Sequence, residues 1–229
     1  MLKFVNVSKR FLGQLALDQI NLDIDKGEIV LIKGPSGSGK TTLLKLLLKE
    51  HNPDEGEIWW QDVPLQKIKG SKIPQHRRKI GAVFQDYKLL PEMNVWENIA
   101  LALSILGKSD KEIAQRVTDL LNLVGLPEKA YHFPHQLSGG EAQRIAIARA
   151  LSTGPELIFA DEPTGNLDAK TATSIAKLLQ KINQLGTTVL ITSHDEVIEK
   201  LLQAARQVEL DKGKLVKDTG VKKQKKNKV

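Results

Sequence analysis

The chain has no cysteine, few aromatic residues and no long apolar run. Without cysteine it can form no disulfide and offers no thiolate for catalysis or metal binding, which fits a reducing compartment. Its longest apolar stretch, residues 99–106, is far below the ~18 residues that span a bilayer. The N-terminal residues alternate as a strand does and show no apolar segment of a secretory signal. We therefore expect a protein that does not itself cross a membrane.

Aromatic residues make up only 4% of the 229 residues, and the net charge of +7 is unevenly distributed. Residues 217–229 hold six lysines and one aspartate, which leaves a net charge of only +2 for the rest of the chain. Because nucleic-acid binding favours a basic surface with aromatic stacking groups, we expect no nucleic-acid partner. We interpret residues 217–229 as a solvated, disordered tail, and contact with anionic lipid headgroups is the alternative.

Strands and helices are predicted to alternate along most of the chain. Short apolar runs typical of buried parallel strands lie at residues 28–32, 80–84, 156–160 and 187–193. Helical patterns follow several of these runs, so we predict an α/β fold with a mostly parallel sheet. Residues 86–137 interrupt the alternation with a helical pattern that includes a capping box beginning at Ser109. This segment is interpreted as an inserted helical subdomain, and residues 1–216 as one domain.

A glycine-rich segment between a predicted strand and a predicted helix matches the phosphate-loop pattern G-x-x-x-x-G-K-[ST] in full. Its glycines let several backbone N–H groups point inward, and the following helix adds a positive dipole. Lys40 supplies a cation for the β- and γ-phosphates, and the Thr41 hydroxyl is a ligand for Mg²⁺. The predicted nucleotide-binding residues here are Gly34, Pro35, Ser36, Gly37, Ser38, Gly39, Lys40, Thr41 and Thr42.

Two acidic residues follow the predicted strand at residues 156–160. Ligands of open α/β sheets collect at the carboxyl ends of the strands, so these residues are candidates for the same site. We expect Asp161 to hold Mg²⁺ through water and Glu162 to polarise the attacking water.

Two further polar residues lie at predicted strand ends. His194 follows the strand at residues 187–193 and is expected to donate a hydrogen bond to the γ-phosphate. Gln85 follows the strand at residues 80–84 and is expected to reach Mg²⁺ or the attacking water. The four other histidines, which we expect at the surface or in loops, are His51, His76, His132 and His135.

The order of these motifs resembles that of ATP-binding cassette (ABC) ATPases. The segment LSGGE, residues 137–141, is similar to the signature sequence of that family and lies between Gln85 and the two acids. The resemblance covers about residues 1–216. It implies a P-loop NTPase fold with a RecA-like core, a small antiparallel β-subdomain and an inserted helical subdomain.

The resemblance also implies roles that the residues alone do not assign. Phe11 is placed beneath the adenine, where tyrosine is commoner. Ser138, Gly139 and Gly140 are expected to bind the γ-phosphate held by a second subunit, so the chain is expected to dimerise when it binds ATP. Members of the family act with an integral membrane protein, which would place this chain at the cytoplasmic face of the cell membrane.

Within the family, the segment at residues 161–168 resembles a branch that includes cell-division, lipoprotein-release and macrolide-export ATPases. The segment at residues 73–91 is most similar to the cell-division ATPases, and lipoprotein-release or macrolide-export ATPases are the alternative. DNA-repair and translation ATPases of the family usually carry coiled coils or two cassettes. Here there is one phosphate loop, one signature and no heptad run. A binding module without catalysis would lack Lys40, Asp161, Glu162 or His194, all of which are present.

Overall fold

The structure is a computed structural model that describes residues 1–220. The strands are β1 (Leu2–Phe11), β2 (Gln14–Ile24), β3 (Ile29–Lys33), β4 (Glu55–Trp60), β5 (Val63–Pro64), β6 (Ile80–Val83), β7 (Leu157–Asp161), β8 (Thr188–Ser193), β9 (Arg206–Asp211) and β10 (Lys214–Asp218). The helices are α1 (Lys40–Leu47), α2 (Ile73–Arg77), α3 (Val95–Ile105), α4 (Asp110–Val124), α5 (Gly139–Leu151), α6 (Ala169–Gln184) and α7 (Glu196–Leu201). Within residues 1–220, no helix is long and apolar enough to cross a bilayer.

The strands form two sheets. The central sheet has the order β10-β9-β3-β8-β7-β6, in which all neighbours are parallel except the β9–β10 hairpin. The second sheet has the order β2-β1-β4-β5 and is antiparallel. The predicted α/β fold with a mostly parallel sheet and a small antiparallel sheet is confirmed. Because β3, β6, β7 and β8 are parallel, the segments that follow them meet at one edge of the sheet.

The central sheet separates two hydrophobic cores. Successive side chains of a strand point to opposite faces, so Leu31 and Ile158 pack into one core while Val30 and Phe159 pack into the other. The first core contains apolar residues of α3 to α7, and the second contains α1 and the antiparallel sheet. This two-sided burial explains why these strands are continuous apolar runs in the sequence.

Helices α3 and α4 lie in the segment expected to be helical. Each begins with a capping box, formed by Asn94 with Glu97 and by Ser109 with Glu112. Gly125 ends α4 in the left-handed conformation, with φ of 72°. The capping box predicted at Ser109 is confirmed.

Strand β10 extends to Asp218, so the domain boundary expected at residue 216 falls inside this strand. The Arg206 guanidinium donates to both carboxylate oxygens of Asp218, at 2.8 and 2.6 Å. It also lies 3.1 Å from the Glu28 carboxylate, ahead of β3. The remainder of the lysine-rich tail, residues 221–229, lies outside the described residues.

His76 is buried, with 5% of its surface exposed, so its expected surface or loop position is wrong. Its Nε2 lies 2.7 Å from the Leu47 carbonyl oxygen, and Arg77 Nε donates to the Leu48 carbonyl oxygen at 2.8 Å. Both side chains of α2 therefore satisfy carbonyl groups at the end of α1. Helix α2 has only five residues, too few to show the period from which a buried face is predicted.

Burial lowers the pKa of His76 from its usual value of 6.5. In the unfolded chain this imidazole takes up a proton as the pH falls through about 6.5, whereas the folded chain resists protonation until a lower pH. The free energy of unfolding is therefore expected to decrease as the pH is lowered below about 6.5. Urea unfolding at pH 7.5 and 5.5 should show that the free energy of unfolding decreases less between these two pH values for His76→Gln than for the wild type. His135→Gln, at an exposed position, is the control, and an unchanged loss in His76→Gln would contradict this expectation.

Candidate functional site

The glycine-rich segment forms a tight loop between β3 and α1. A β-carbon on Gly34 would lie 2.2 Å from the Leu210 carbonyl oxygen, and one on Gly39 would lie 2.6 Å from that of Ala16. Both glycines also have positive φ angles, 149° and 106°. No other residue fits these two positions, since the loop runs directly against β2 and β9.

Lys40 begins α1 beneath this loop and is only 6% exposed. Its Nζ donates to the carbonyl oxygens of Gly34 and Pro35, at 2.7 and 3.1 Å. The same nitrogen lies 3.2 Å from a Glu162 carboxylate oxygen. The cation is thus held where the loop meets the end of β7.

Two acids lie at the end of β7, and both are hydrogen-bonded to Thr192. Asp161 is buried and accepts a hydrogen bond from the Thr192 hydroxyl at 2.6 Å. The Glu162 backbone N–H donates to the carbonyl and hydroxyl oxygens of Thr192, at 3.1 and 2.9 Å. Thr192 of β8 therefore orients both acids, a role that the sequence analysis missed.

Glu162 has a φ of 49°, a strained value for a residue with a side chain. Its carboxylate lies between two partners, Lys40 Nζ on one oxygen and His194 Nδ1 on the other, the latter at 3.0 Å. Its side chain is 14% exposed, whereas that of His194 is 62% exposed. A carboxylate with this orientation can accept a proton from a water molecule at the mouth of the loop.

Gln85 lies after β6 at the same edge of the sheet. Its Nε2 donates to Asn166 Oδ1 at 3.2 Å, and a β-carbon on Gly165 would lie 2.9 Å from this nitrogen. The amide therefore rests on the loop that follows Glu162. Asn166 is a second contact that the sequence analysis did not find.

A pocket of about 260 Å³ brings most of the predicted residues together. Its lining consists of Ala16, Ser36, Gly37, Gly39, Lys40, Thr41, Thr42, Gln85, Glu162 and His194. Gly34, Pro35 and Ser38 form the inner turn of the loop, and Asp161 lies next to Glu162 at the strand end. Ala16, on the antiparallel sheet, was not among the predicted residues.

Two predicted groups lie outside this pocket. Phe11 is 36% exposed at the end of β1, where its ring meets the edge of His51 at 5.0 Å and lies 5.5 Å from Lys9 Nζ. Ser138, Gly139 and Gly140 lie at the start of α5, and Ser138 caps that helix through a capping box with Glu141. None of these four predicted residues lines the pocket that contains Lys40.

The signature helix is fixed by close packing and by charge. A β-carbon on Gly140 would lie 2.4 Å from Thr171 Cγ2, at the start of α6. Hydrogen bonds from the Ser138 backbone and hydroxyl, with a further one from Lys129, lower the pKa of Glu141. The Glu141 carboxylate therefore stays ionised as the capping group of α5.

The residues of this pocket fit a nucleoside triphosphate and a hard divalent cation. The Ser38 hydroxyl oxygen is buried in the loop and has no partner within the described chain. Backbone N–H groups at the start of a helix such as α1 are suited to binding a phosphate. Thr41, Gln85 and Asp161 offer the oxygen ligands that Mg²⁺ prefers. Among residues 1–220, no group of three or more His, Asp or Glu side chains is arranged to hold a metal alone. A site with one carboxylate suits Mg²⁺, because this ion keeps several of its water ligands and is also bound by the phosphates of the substrate.

The fold and site define a nucleotide-binding protein of the P-loop class. A family model described as "ABC transporter" matches residues 17–165, which is more than half of the chain. The chain belongs to the ABC transporter family, as its motif order indicated. Its members bind and hydrolyse ATP, and the phosphate loop, both acids and His194 are all in place here.

Similar proteins include the cell division ATP-binding protein FtsE of Mycobacterium tuberculosis, 45% identical over 95% of both chains. The protein of the same name from Bacillus subtilis is 45% identical over 90% of both chains. Among solved structures, the dimeric ATP-binding cassette MJ0796 bound to ADP and Pi is 38% identical with a TM-score of 0.86, covering 95% of this chain and 97% of that one. CbiO1 of Clostridium perfringens, part of the cbiONQ complex, is 29% identical with a TM-score of 0.87, covering 95% and 87%. The resemblance to the cell-division branch is thereby confirmed.

Proposed function

We propose that the chain is the Mg²⁺-dependent ATPase subunit of a membrane complex that acts in cell division. The observation that supports this most directly is the Glu162 carboxylate, which lies between Lys40 and His194 at the mouth of the phosphate loop. In this proposal, Lys40 and the loop N–H groups bind the phosphates, and Thr41, Asp161 and Gln85 hold Mg²⁺. The cation would offset phosphate charge, while Glu162 accepts the proton of the attacking water and His194 donates to the γ-phosphate.

The complete site is proposed to form between two copies of the chain. Ser138, Gly139 and Gly140 lie outside the pocket that contains Lys40, so they need a second subunit to meet a bound nucleotide. Their N–H groups at the start of α5 are suited to binding the γ-phosphate. In the same proposal the ring of Phe11 stacks on the adenine. The dimeric cassette MJ0796, bound to ADP and Pi, supports this arrangement.

Mixing two damaged chains tests the shared site. Ser138→Arg and His194→Ala are each expected to have low ATPase activity as homodimers. In a mixed dimer both lesions fall in one site and the other site is intact, so the mixture should recover partial activity. The measurement is turnover as a function of mixing ratio.

Ser109→Arg is the matched control, because Ser109 forms the same kind of capping box on a different helix, α4. It should lose a similar amount of helix stability, about 1 kcal/mol, and keep its activity. The chain has no cysteine, so Ser36→Cys and Ser138→Cys chains can also be joined by a short thiol crosslinker. Absence of both recovered activity and an ATP-dependent crosslink would contradict the shared site.

The partner is proposed to be an integral membrane protein of the FtsX type, which places this chain at the cytoplasmic face of the membrane. The name of the relatives, cell division ATP-binding protein FtsE, supports this branch over lipoprotein release or macrolide export. CbiO1, part of the ABC transporter complex cbiONQ, supports assembly with a membrane complex. In this proposal the complex controls cell-wall hydrolysis during cell division.

The partner is proposed to dock on residues 86–96, which follow Gln85. Leu90 is 36% exposed, whereas Leu89 and Trp96 pack in part against the helical core. A neighbouring segment adds the exposed side chains of Tyr131 and Phe133, and its backbone pairs with the start of α3 through two hydrogen bonds of 2.8 Å. Exposed apolar groups on adjacent segments are typical of an interaction surface.

Leu90→Glu is expected to prevent binding of the membrane partner while basal ATPase activity stays close to the wild type. The Leu90 backbone is held by Asn98, which accepts from its N–H at 2.8 Å and donates to its carbonyl at 3.1 Å. The substitution therefore changes the exposed side chain without releasing the segment. Co-immunoprecipitation with the candidate partner measures the effect. Leu185→Glu, at an exposed position after α6, is the control and should bind normally.

The lysine tail is proposed to contribute less to partner binding than residues 86–96 do, and to contact anionic lipid. Each lysine near an anionic surface is worth about 1 kcal/mol and is screened by salt. Deletion of residues 222–229 should leave partner binding largely unchanged at physiological salt. Loss of the complex on this deletion, together with normal binding by Leu90→Glu, would show that the docking surface is wrong.

A further inference from the structure

The turn that follows Gln85 adopts an unusual backbone conformation. Tyr87 and Lys88 have φ angles of 59° and 51°, so two successive residues with side chains lie in the left-handed region. Such residues favour other conformations and persist only where surrounding contacts hold them. The contacts that hold this turn therefore also determine where Gln85 lies.

Arg149, in the last turn of α5, supplies those contacts. Its Nη1 donates to the Lys88 carbonyl oxygen at 2.5 Å, and its Nη2 donates to the Tyr87 carbonyl oxygen at 2.8 Å. One planar guanidinium thus bridges the carbonyl groups of both left-handed residues. A lysine in its place has a single nitrogen and cannot reproduce this two-pronged geometry.

The other end of the same helix also meets the turn. A β-carbon on Gly139 would lie 2.8 Å from the Tyr87 hydroxyl oxygen, so the ring of Tyr87 reaches the first residue of α5. Gly139 and Arg149 are ten residues apart, about 15 Å along a helix. Signature helix α5 therefore contacts this turn near both of its own ends.

We infer that Arg149 is a positioning residue for ATP hydrolysis, which holds Gln85 in place through the Tyr87–Lys88 turn. The inference rests on the proposed role of Gln85 at Mg²⁺ and the attacking water. On the other side Gln85 contacts Asn166 and Gly165, in the loop after Glu162. A continuous set of contacts thus joins the proposed general base, Glu162, to the signature helix, which in the proposed dimer serves the opposite site.

Steady-state kinetics of Arg149→Lys test the inference. The substitution leaves the phosphate loop intact, so the dissociation constant of Mg-ATP should stay within about twofold of the wild type. Turnover should fall about ten- to hundredfold, because small displacements of a positioned group have effects of this size. In a double-mutant cycle, Arg149→Lys should add little to the loss caused by Gln85→Ala, since both act through the same amide.

Arg116→Lys is the matched control. Arg116 also bridges two successive carbonyl groups, those of Leu151 and Ser152 at 2.7 and 3.2 Å, but it touches no residue of the site. It should lose thermal stability to a similar degree while its turnover remains near the wild type. Equal losses of turnover in the two arginine variants would mean that Arg149 has a structural role only.

A readout that does not need ATPase activity is tryptic cleavage after Lys88, followed by mass spectrometry. Lys88 is exposed in the turn, so releasing the turn should speed this cleavage several-fold in Arg149→Lys and not in Arg116→Lys. If Gln85→Ala alone leaves turnover unchanged, the proposed role of Gln85 fails, while the cleavage rates still decide whether Arg149 holds the turn. Additive losses in the cycle, or equal cleavage rates in both arginine variants, would overturn the inference.

Discussion

Lys40→Ala is expected to raise the dissociation constant of Mg-ATP at least about a hundredfold. Lys40 is the buried cation of the loop, and its Nζ is held by two carbonyl oxygens and by Glu162. Charge-assisted hydrogen bonds contribute about 1.5–3 kcal/mol each, and each 1.4 kcal/mol is a factor of about ten in affinity. Alanine also leaves the Glu162 carboxylate without its cation, which repels the incoming phosphates. Calorimetric titration with Mg-ATP measures the change.

Lys45→Ala is the control for this experiment, because Lys45 is an exposed lysine of the same helix. It removes the same charge from α1 without touching the loop, so its affinity should stay near the wild type. Wild-type affinity in Lys40→Ala would refute the assignment of the phosphate loop.

Glu162→Gln is expected to keep ATP binding and to lose turnover by about 10²–10⁴-fold, the usual contribution of a general base. Glutamine keeps the shape of the side chain and its contact with His194, but it cannot accept the proton of the attacking water. Because ATP then stays bound at the shared site, two chains should remain associated. Turnover and light scattering with ATP measure the two effects.

Glu156→Gln offers a matched comparison at the opposite end of β7. Glu156 also faces a lysine, Lys79 at 3.4 Å, and it accepts a hydrogen bond from Gln61 at 2.9 Å. The same change there should leave turnover and dimerisation unaltered. A fully active or strictly monomeric Glu162→Gln chain would contradict the mechanism.

The parts of the site that the sequence predicted are those whose partners are close in the chain or lie at strand ends. The phosphate loop is a local motif of eight residues, and β3 and α1 border it as expected. Asp161 and Glu162 were predicted because the buried strand before them was evident. The parallel order of the strands then brings these segments to one edge.

The missed contacts join residues far apart in the chain. Thr192 is about 30 residues from the acids that it orients, and Arg149 is about 60 residues from Tyr87 and Lys88. A hydroxyl or a guanidinium at such positions has no periodic or spacing signal, because its partner is determined by packing alone. His76 was misjudged for the same reason. The roles of all the predicted site residues, Phe11, Ser138 and Gln85 among them, remain predictions.

The bond between Arg206 and Asp218 determines where the chain can be shortened for expression. A truncation after residue 216, the boundary that the family resemblance implies, removes a carboxylate that is 4% exposed and leaves the guanidinium without its strongest partner. Removing one partner of a partly buried pair destabilises the domain, and Arg206 then keeps only its contacts with the Asp23 carbonyl oxygen and the Glu28 carboxylate. Ending the chain after Gly220 keeps Asp218, the Thr219 hydroxyl that accepts from the Gln207 backbone at 2.9 Å, and the whole of β10. A crystallisation target that omits the lysines should therefore end four residues later than the motif suggests.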